Sequence, residues 1–330
     1  MKRLSLMLAA ALCFAASGLP ARAADNYPSR PIKVIVPYAP GGATDIVARI
    51  VGDAFARVTG QGFVVLNKPG AFGMIAIEEM VKSAPDGYTL MLGNVTTNAI
   101  TPVLYKNKLH FDYATHVVPV TRLVDVPAFF VVTTAHNFPV KTVPEFVDYA
   151  KKNPGVLYGT VGIGSYPHYD MAYFAKRAGD LNMAALANKN GASGVIQDMM
   201  RGDAKASFLN VASAAGLVKA GKLRPIALVN HTRLKDYPDV PTMKEVGFDG
   251  VGTIAWQGLF APAGTPQAVI DKLYKDVTKT LQSPEVIAKF GKQHFNIVPN
   301  SSPAEAKTWL AGEMKHWQTI TSEVKLTTAH

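Results

Sequence analysis

Apolar residues follow two alternating periods along this chain. Short β-branched runs have the length of buried strands, and after each the apolar positions recur every three or four residues, as on one face of a helix. Val34-Ile35-Val36 is the first such run, and Ile46, Val47, Ile50, Val51, Phe55 and Val58 form the first helical face. Between them, Pro37-Tyr38-Ala39-Pro40-Gly41-Gly42-Ala43-Thr44-Asp45 holds too much Pro and Gly for either element, so it reads as a tight strand-to-helix turn. Further strands are predicted at Gly62–Leu66, Tyr88–Leu92, Val117–Leu123, Ala128–Thr133, Val156–Thr160, Met183–Ala187, Ala204–Leu209, Leu223–Val229 and Ile254–Phe260. Helical patterns cover Ile75–Val81, Pro167–Arg177, Gly191–Met200 and Ala212–Lys219, and one ends at Leu281. Capping boxes at Thr142-Val143-Pro144-Glu145 and Ser302-Pro303-Ala304-Glu305 open a helix to Lys151 and a terminal one to about Val324. Gly93-Asn94-Val95-Thr96-Thr97-Asn98 reads as a polar loop ending its strand. Alternation of this kind means α/β sheets, one in each half of the chain.

Ligands of α/β sheets bind at the carboxyl ends of strands, which directs attention to the turns there. Gly41 and Gly42 let a ligand approach the backbone, and the free N–H groups of the following helix point outward with the positive end of its dipole. An anion suits that place, a carboxylate better than a phosphate, because a P-loop needs Gly-Lys-Ser/Thr where this chain has Ala43-Thr44-Asp45. An ordinary turn capped by Thr44 or Asp45 is the plain alternative. Gly162-Ile163-Gly164-Ser165 repeats the arrangement in the second half, so two helix ends facing one cleft would hold a dicarboxylate by both ends. Ser165 and His168 raise the prospect of a hydrolase, but the serine lacks the following glycine of a Gly-x-Ser-x-Gly elbow and is expected to cap its helix and offer its hydroxyl to a ligand. His, Asp and Glu show no clustering at metal-ligand spacing, and Gly159-x-x-Gly162-x-Gly164 is not the dinucleotide fingerprint.

Composition narrows the setting. Met1-Lys2-Arg3, the apolar run Leu4–Ala16 and Ala21-Arg22-Ala23 read as a secretory signal peptide, residues 1–23, cleaved before Ala24. The only cysteine, Cys13, lies inside it, so a mature protein would hold neither disulfide nor thiol nucleophile. Losing Lys2, Arg3 and Arg22 lowers the formal net charge from +10 to +7. The remaining basic residues are scattered, which argues against nucleic acid and leaves room for a small anionic ligand.

Tyr27-Pro28-Ser29-Arg30-Pro31, Val36–Asp45, Asn67-Lys68-Pro69-Gly70-Ala71, Ala84–Leu90, Asp239-Val240-Pro241-Thr242 and Leu259–Pro266 occur in this order along essentially the whole mature chain. In them the chain resembles the periplasmic solute-binding receptors of tripartite tricarboxylate transporters, the Bug family. The resemblance implies an α/β, two-domain periplasmic-binding-protein fold (Venus flytrap, type II-like) with two crossover strands. Domain 1 would comprise 24–126 plus 254–330, and domain 2 residues 127–253. It implies no catalysis and no cofactor, a monomer in the periplasm, and membrane permease subunits as partners. It assigns the ligand to one loop with Tyr38, Ala39, Gly41, Gly42, Ala43, Thr44 and Asp45, and to another with Gly162, Gly164, Ser165, Tyr166 and His168. Asn94 and Thr96 at a strand end, and Lys205 and Asn210 around another, complete the expected set.

Relatives usually carry glycine and asparagine where this chain has Phe72 and Met74, and often aspartates where it has Lys205 and Leu209. Lys205 reads either as a cation for a second carboxylate or as a surface lysine. Leu209 removes a partner for an amino group, which favours a plain acid over an amino acid. Tyr38, Phe72, Tyr166, Phe208 and Trp256 fall in or beside the expected cleft segments and would suit an aromatic acid such as a phthalate isomer. Two other readings remain at this point: a secreted serine hydrolase using Ser165 and His168, and a solute sensor for a partner kinase.

Overall fold

The computed structural model describes residues 26–324 and 326. The expected signal peptide, residues 1–23, lies outside the described residues. The first sheet is built from β1 (Ile32–Val36), β2 (Phe63–Asn67), β3 (Thr89–Asn94), β4 (Val117–Val126), β10 (Ala255–Pro262) and β11 (Asn296–Ile297), in the order β11-β4-β10-β3-β1-β2. β1 lies parallel to both neighbours, with Val34 opposite Val65 and Leu90, whereas β10 runs antiparallel to β3 and β4. The second sheet holds β5 (Ala128–Thr133), β6 (Val156–Thr160), β7 (Met183–Ala187), β8 (Ala206–Asn210) and β9 (Leu223–Val229), in the order β7-β6-β8-β5-β9.

Between successive strands lie the helices α1 (Ala43–Thr59), α2 (Met74–Val81), α3 (Val143–Lys152), α4 (Tyr166–Arg177), α5 (Gly191–Arg201) and α6 (Val211–Lys219). α7 (Gln267–Leu281), α8 (Pro284–Lys292) and α9 (Pro303–Glu323) follow β10. β5 explains why the second sheet is covered on both faces. Phe130 and Val132 join one buried cluster with Phe146, Phe174 and Phe208, while Phe129 and Val131 join another with Met199 and Leu228. Successive side chains of a strand point to opposite faces, so an unbroken apolar run needs a core on each side.

Two segments carry the chain between the sheets. Only Pro127 separates β4 from β5; lacking an N–H, it cannot continue the ladder, and the strand leaves one sheet to enter the other. The chain returns through residues 230–254 into β10, whose Ala255 pairs with Val126 of β4. Both crossings therefore lie side by side.

Three local expectations change. Gly93–Asn98 is not a loop: β3 runs through Asn94, and a π-helical turn Thr96–Ile100 leads into the helix Thr101–Leu104. Its polar side chains bond one another and the turn's own backbone. Asn94 Oδ1 accepts from the amides of Thr96 (3.0 Å) and Thr97 (3.3 Å), and Thr97 Oγ1 donates to Asn98 Oδ1 at 2.6 Å. α8 and β11 go unanticipated by the pattern of apolar positions, although Ser283-Pro284-Glu285 is a cap signal and the Ser283 hydroxyl accepts from the Val286 amide.

Candidate functional site

α1 starts where β1 ends. Gly42 is its N-cap residue, and no side chain caps it, so its first amides keep their outward-facing hydrogens. Gly41 adopts φ +87°, and a Cβ built there would meet no heavy atom within 4 Å among the described residues. Gly162 likewise has open space in front of it, at φ +152°.

The loop before α1 is held from behind. Asn67, next to Val36 in the parallel register, donates from Nδ2 to the Tyr38 carbonyl (2.9 Å) and to Asp45 Oδ1 (3.0 Å). Asp45, 3% exposed, also accepts from the Gly41 amide at 2.9 Å and from both arms of Arg49. Burial alone would raise the Asp45 carboxyl; the donors from Arg49, Gly41 and Asn67 outweigh it and hold it below the usual carboxylate range. The plain alternative, a helix cap at Thr44 or Asp45, gives way to a brace: Asp45 consumes the Gly41 N–H and the Arg49 charge. What remains for an anion at this end is the start of α1 itself, with Gly42, Ala43 and Thr44.

The second turn is put together differently from expectation. The Ser165 hydroxyl does not cap α4; it donates to the Gly162 carbonyl at 2.7 Å and lies 3.1 Å from Thr160 Oγ1. The Gly164 amide donates to His168 Nδ1 at 3.0 Å. His168 is 2% exposed, and burial pushes its pKa down to about 4, so it stays neutral and serves as an acceptor for the backbone. Ser165 and His168 thus each bind the loop and not one another, which leaves the serine without a base. Pro167 supplies no N–H, and the Tyr166 amide points at Thr96 Oγ1, 3.4 Å away. This helix end offers fewer free donors than the end of α1.

That Tyr166–Thr96 contact joins the second sheet's α4 to the turn after β3 in the first, the same turn that Tyr38 reaches through Asn94. Tyr38 OH donates to Asn94 Oδ1 at 2.7 Å, and Tyr166 OH donates to Asn210 Oδ1 at 2.9 Å. Burial raises both phenols, which remain protonated donors. Tyr38, Asn94, Thr96, Tyr166 and Asn210 thus form one run of hydrogen bonds that links the two glycine turns, and Ala39 beside it is exposed.

Lys205 is not in this assembly. It precedes β8, at the end remote from Asn210, and five residues of strand separate the two by roughly 16 Å. Its ammonium donates to the Gly202 carbonyl at 2.6 Å and lies over the Phe138 ring. Strand direction decides this, and local sequence does not encode it. Phe208 stacks on Phe130 in the core, and Trp256 donates from Nε1 to Glu313 of α9 at 2.7 Å, so neither lines the cleft. Phe72 is partly exposed and stacks on Tyr105, whose hydroxyl lies beside Gly164. Asn67 and Tyr105 were not anticipated; for Asn67 the available signal was a polar residue ending a strand that pairs with β1.

Residues 47–326 match the family model described as tripartite tricarboxylate transporter family receptor. Protein BugT of Bordetella pertussis is 30% identical over 302 residues, 91% of each chain. Two solved structures from Rhodopseudomonas palustris share the fold. Rpa4515 with adipate has a TM-score of 0.81 and 28% identity, covering 90% of this chain and 97% of its own. MatC with bound malate has a TM-score of 0.79 and 27% identity, covering 89% and 99%.

Proposed function

Because the chain belongs to the tripartite tricarboxylate transporter receptor family, we propose that it captures an organic dicarboxylate in the periplasm and delivers it to the membrane permease of such a transporter. The family is one of solute receptors, not of enzymes. The observation that carries the proposal is the uncapped start of α1, opening on bare glycine backbone and linked through Asn94 and Thr96 to a second glycine turn. Helix-end amides and phenol hydroxyls hydrogen-bond a carboxylate without a neutralising side chain. Asp45 spends its charge on Arg49 and the loop, so it neither repels the anion nor waits for an ammonium group. That favours a plain acid over an amino acid. Adipate and malate in the two related structures are both dicarboxylates, and an aromatic acid such as a phthalate isomer falls in the same class. Export rests on the signal peptide read at residues 1–23.

Closure around such a ligand should give micromolar or tighter binding, about 8 kcal/mol. A thermal-shift screen of mono- and dicarboxylates is the test, since a ligand at about 100 times its dissociation constant adds about 2.7 kcal/mol to stability. Dicarboxylates should raise the melting temperature most. Equal shifts from monocarboxylates and neutral analogues would overturn the two-ended mode of binding. Ser165→Ala is expected to weaken binding about tenfold or less, because it frees the Gly162 carbonyl from a 2.7 Å hydrogen bond and loosens the loop, one neutral hydrogen bond being worth about 1 kcal/mol. Isothermal titration with the best acid of the screen measures this.

A further inference from the structure

The turn before α2 is left-handed over four consecutive residues: Gly70 at φ 128°, Ala71 at 45°, Phe72 at 55° and Gly73 at 86°. Glycine adopts such angles freely, but alanine and phenylalanine do so rarely and under strain, and residues held there are over-determined by their surroundings. Here the surroundings belong to the cleft. A Cβ on Gly73 would lie 2.2 Å from Thr97 Cγ2 and 3.4 Å from Pro37 Cβ, so the turn is wedged between the loop after β1 and the turn after β3. Thr101 Oγ1 donates to the Phe72 carbonyl at 2.8 Å and pins the strained residue.

The strained backbone holds the Phe72 side chain outward. The residue is 39% exposed, and its ring stacks on Tyr105 at 5.2 Å and 15°. The Tyr105 hydroxyl is only 3.7 Å from the point where a side chain on Gly164 would begin, and Leu104 Cδ1 is 4.0 Å from it. An aromatic wall therefore extends from the first sheet's lip to the glycine turn of the second.

We infer that Phe72 is a specificity-determining residue, which with Tyr105 contacts the apolar body of the bound acid; the inference rests on the dicarboxylate reading above. The start of α1 holds one carboxylate, and the stretch of ligand running toward Gly164 passes the stacked rings. A dicarboxylate with a ring or a chain of about four methylenes gains that contact, with offset or edge-to-face geometry for a ring. A short hydroxylated acid has no apolar body to place there.

The test is isothermal titration of wild type, Phe72→Gly and Phe72→Leu with adipate, phthalate and malate. Phe72→Gly should leave the melting temperature of the free protein unchanged or raised, since glycine relieves the strain at φ 55°. It should weaken binding of adipate or phthalate, whichever the wild type binds more tightly, about tenfold and change that of malate less than twofold, with Phe72→Leu between the two. Equal losses for every acid bound, or none, would overturn the inference while leaving the dicarboxylate reading intact. A wild type that binds none of the three acids counts against that reading, and the inference falls with it.

Discussion

Replacing Gly93 with alanine is expected to lower the unfolding free energy by about 2–6 kcal/mol and to abolish ligand retention in the cleft. The added Cβ would lie 1.9 Å from Asn98 Oδ1, 2.9 Å from Asn98 Cγ and 3.0 Å from Thr97 Oγ1. Asn98 has no room to yield. It is fully buried, donates to Tyr113 OH at 2.7 Å, and accepts from Thr97 Oγ1, which itself accepts from the Asn94 amide at 3.1 Å. Overpacking a filled core costs about 1–3 kcal/mol, and stranding a buried polar partner costs about 1–3 more. The same shift would move Asn94, whose Oδ1 receives the Tyr38 hydroxyl, so stability and binding should fail together. Gly312→Ala is the matching control: a Cβ there meets nothing within 4 Å among the described residues, and α9 should gain about 1 kcal/mol. Denaturant unfolding of both variants, with ligand titration, measures the difference. A Gly93→Ala protein within about 1 kcal/mol of wild type would show that the Thr97–Asn98 turn repacks and is not a fixed support.

The second large effect concerns pH and should be visible only after one of two opposing groups is removed. His168 is held neutral by burial, at about 4 against 6.5 for a free imidazole. Its native state binds fewer protons than the unfolded chain between those values, so this histidine lowers stability as pH falls from 6.5 to 4, by about 3 kcal/mol. Asp170, 5% exposed, is pushed the other way, up to about 7. Burial is the main cause, and the hydrogen bonds from the Thr253 amide (3.0 Å) and hydroxyl (2.6 Å) only partly offset it. For a raised carboxyl the stabilising proton is fully bound below the unfolded value near 4 and is lost as pH rises through 7, a change of about 4 kcal/mol in the opposite sense. Between pH 4 and 6.5 the two nearly cancel in the wild type. Asp170→Asn should therefore lose stability as pH falls through this window, and His168→Gln should gain it. Unfolding curves at pH 4, 5, 6 and 7 give the comparison, with other carboxylates contributing alike to all three proteins. Parallel profiles for wild type and Asp170→Asn would mean that this carboxyl titrates the same way folded and unfolded.

Much of the architecture was legible because strand and helix leave different periods in the chain. α1 begins directly after the Gly41-Gly42 turn, and β5, β7 and β9 occupy the strands predicted from their apolar runs. Thr142 and Ser302 each accept from the amide of the glutamate three residues on, as capping boxes require. The Gly93–Asn98 segment misled because Thr and Asn are loop formers only when their side chains bond to water or to extended backbone. Buried together, they bond to the backbone of a helical turn and make it possible.

The candidate site divides in the same way. Two glycine turns opening helices could be read from residue order alone, since bare backbone and a helix start are local properties. Which N–H groups remain for a ligand could not. Gly41 yields its amide to Asp45 and Gly164 to His168, and Ser165 turns back on Gly162. Those partners lie within four residues, but whether such a side chain folds back or reaches outward depends on what encloses it.

Order along the chain, through apolar period, caps and glycine placement, determined the strands, the helices and the positions of the two turns. Only tertiary structure decided that Lys205 sits at the far end of β8, that Phe208 and Trp256 are core, and that Phe72 meets Tyr105 across from Gly164. The physical reason is one of range. Backbone preference acts over a few residues, whereas strand direction, register and burial are settled by segments far apart in sequence that compete for the same core.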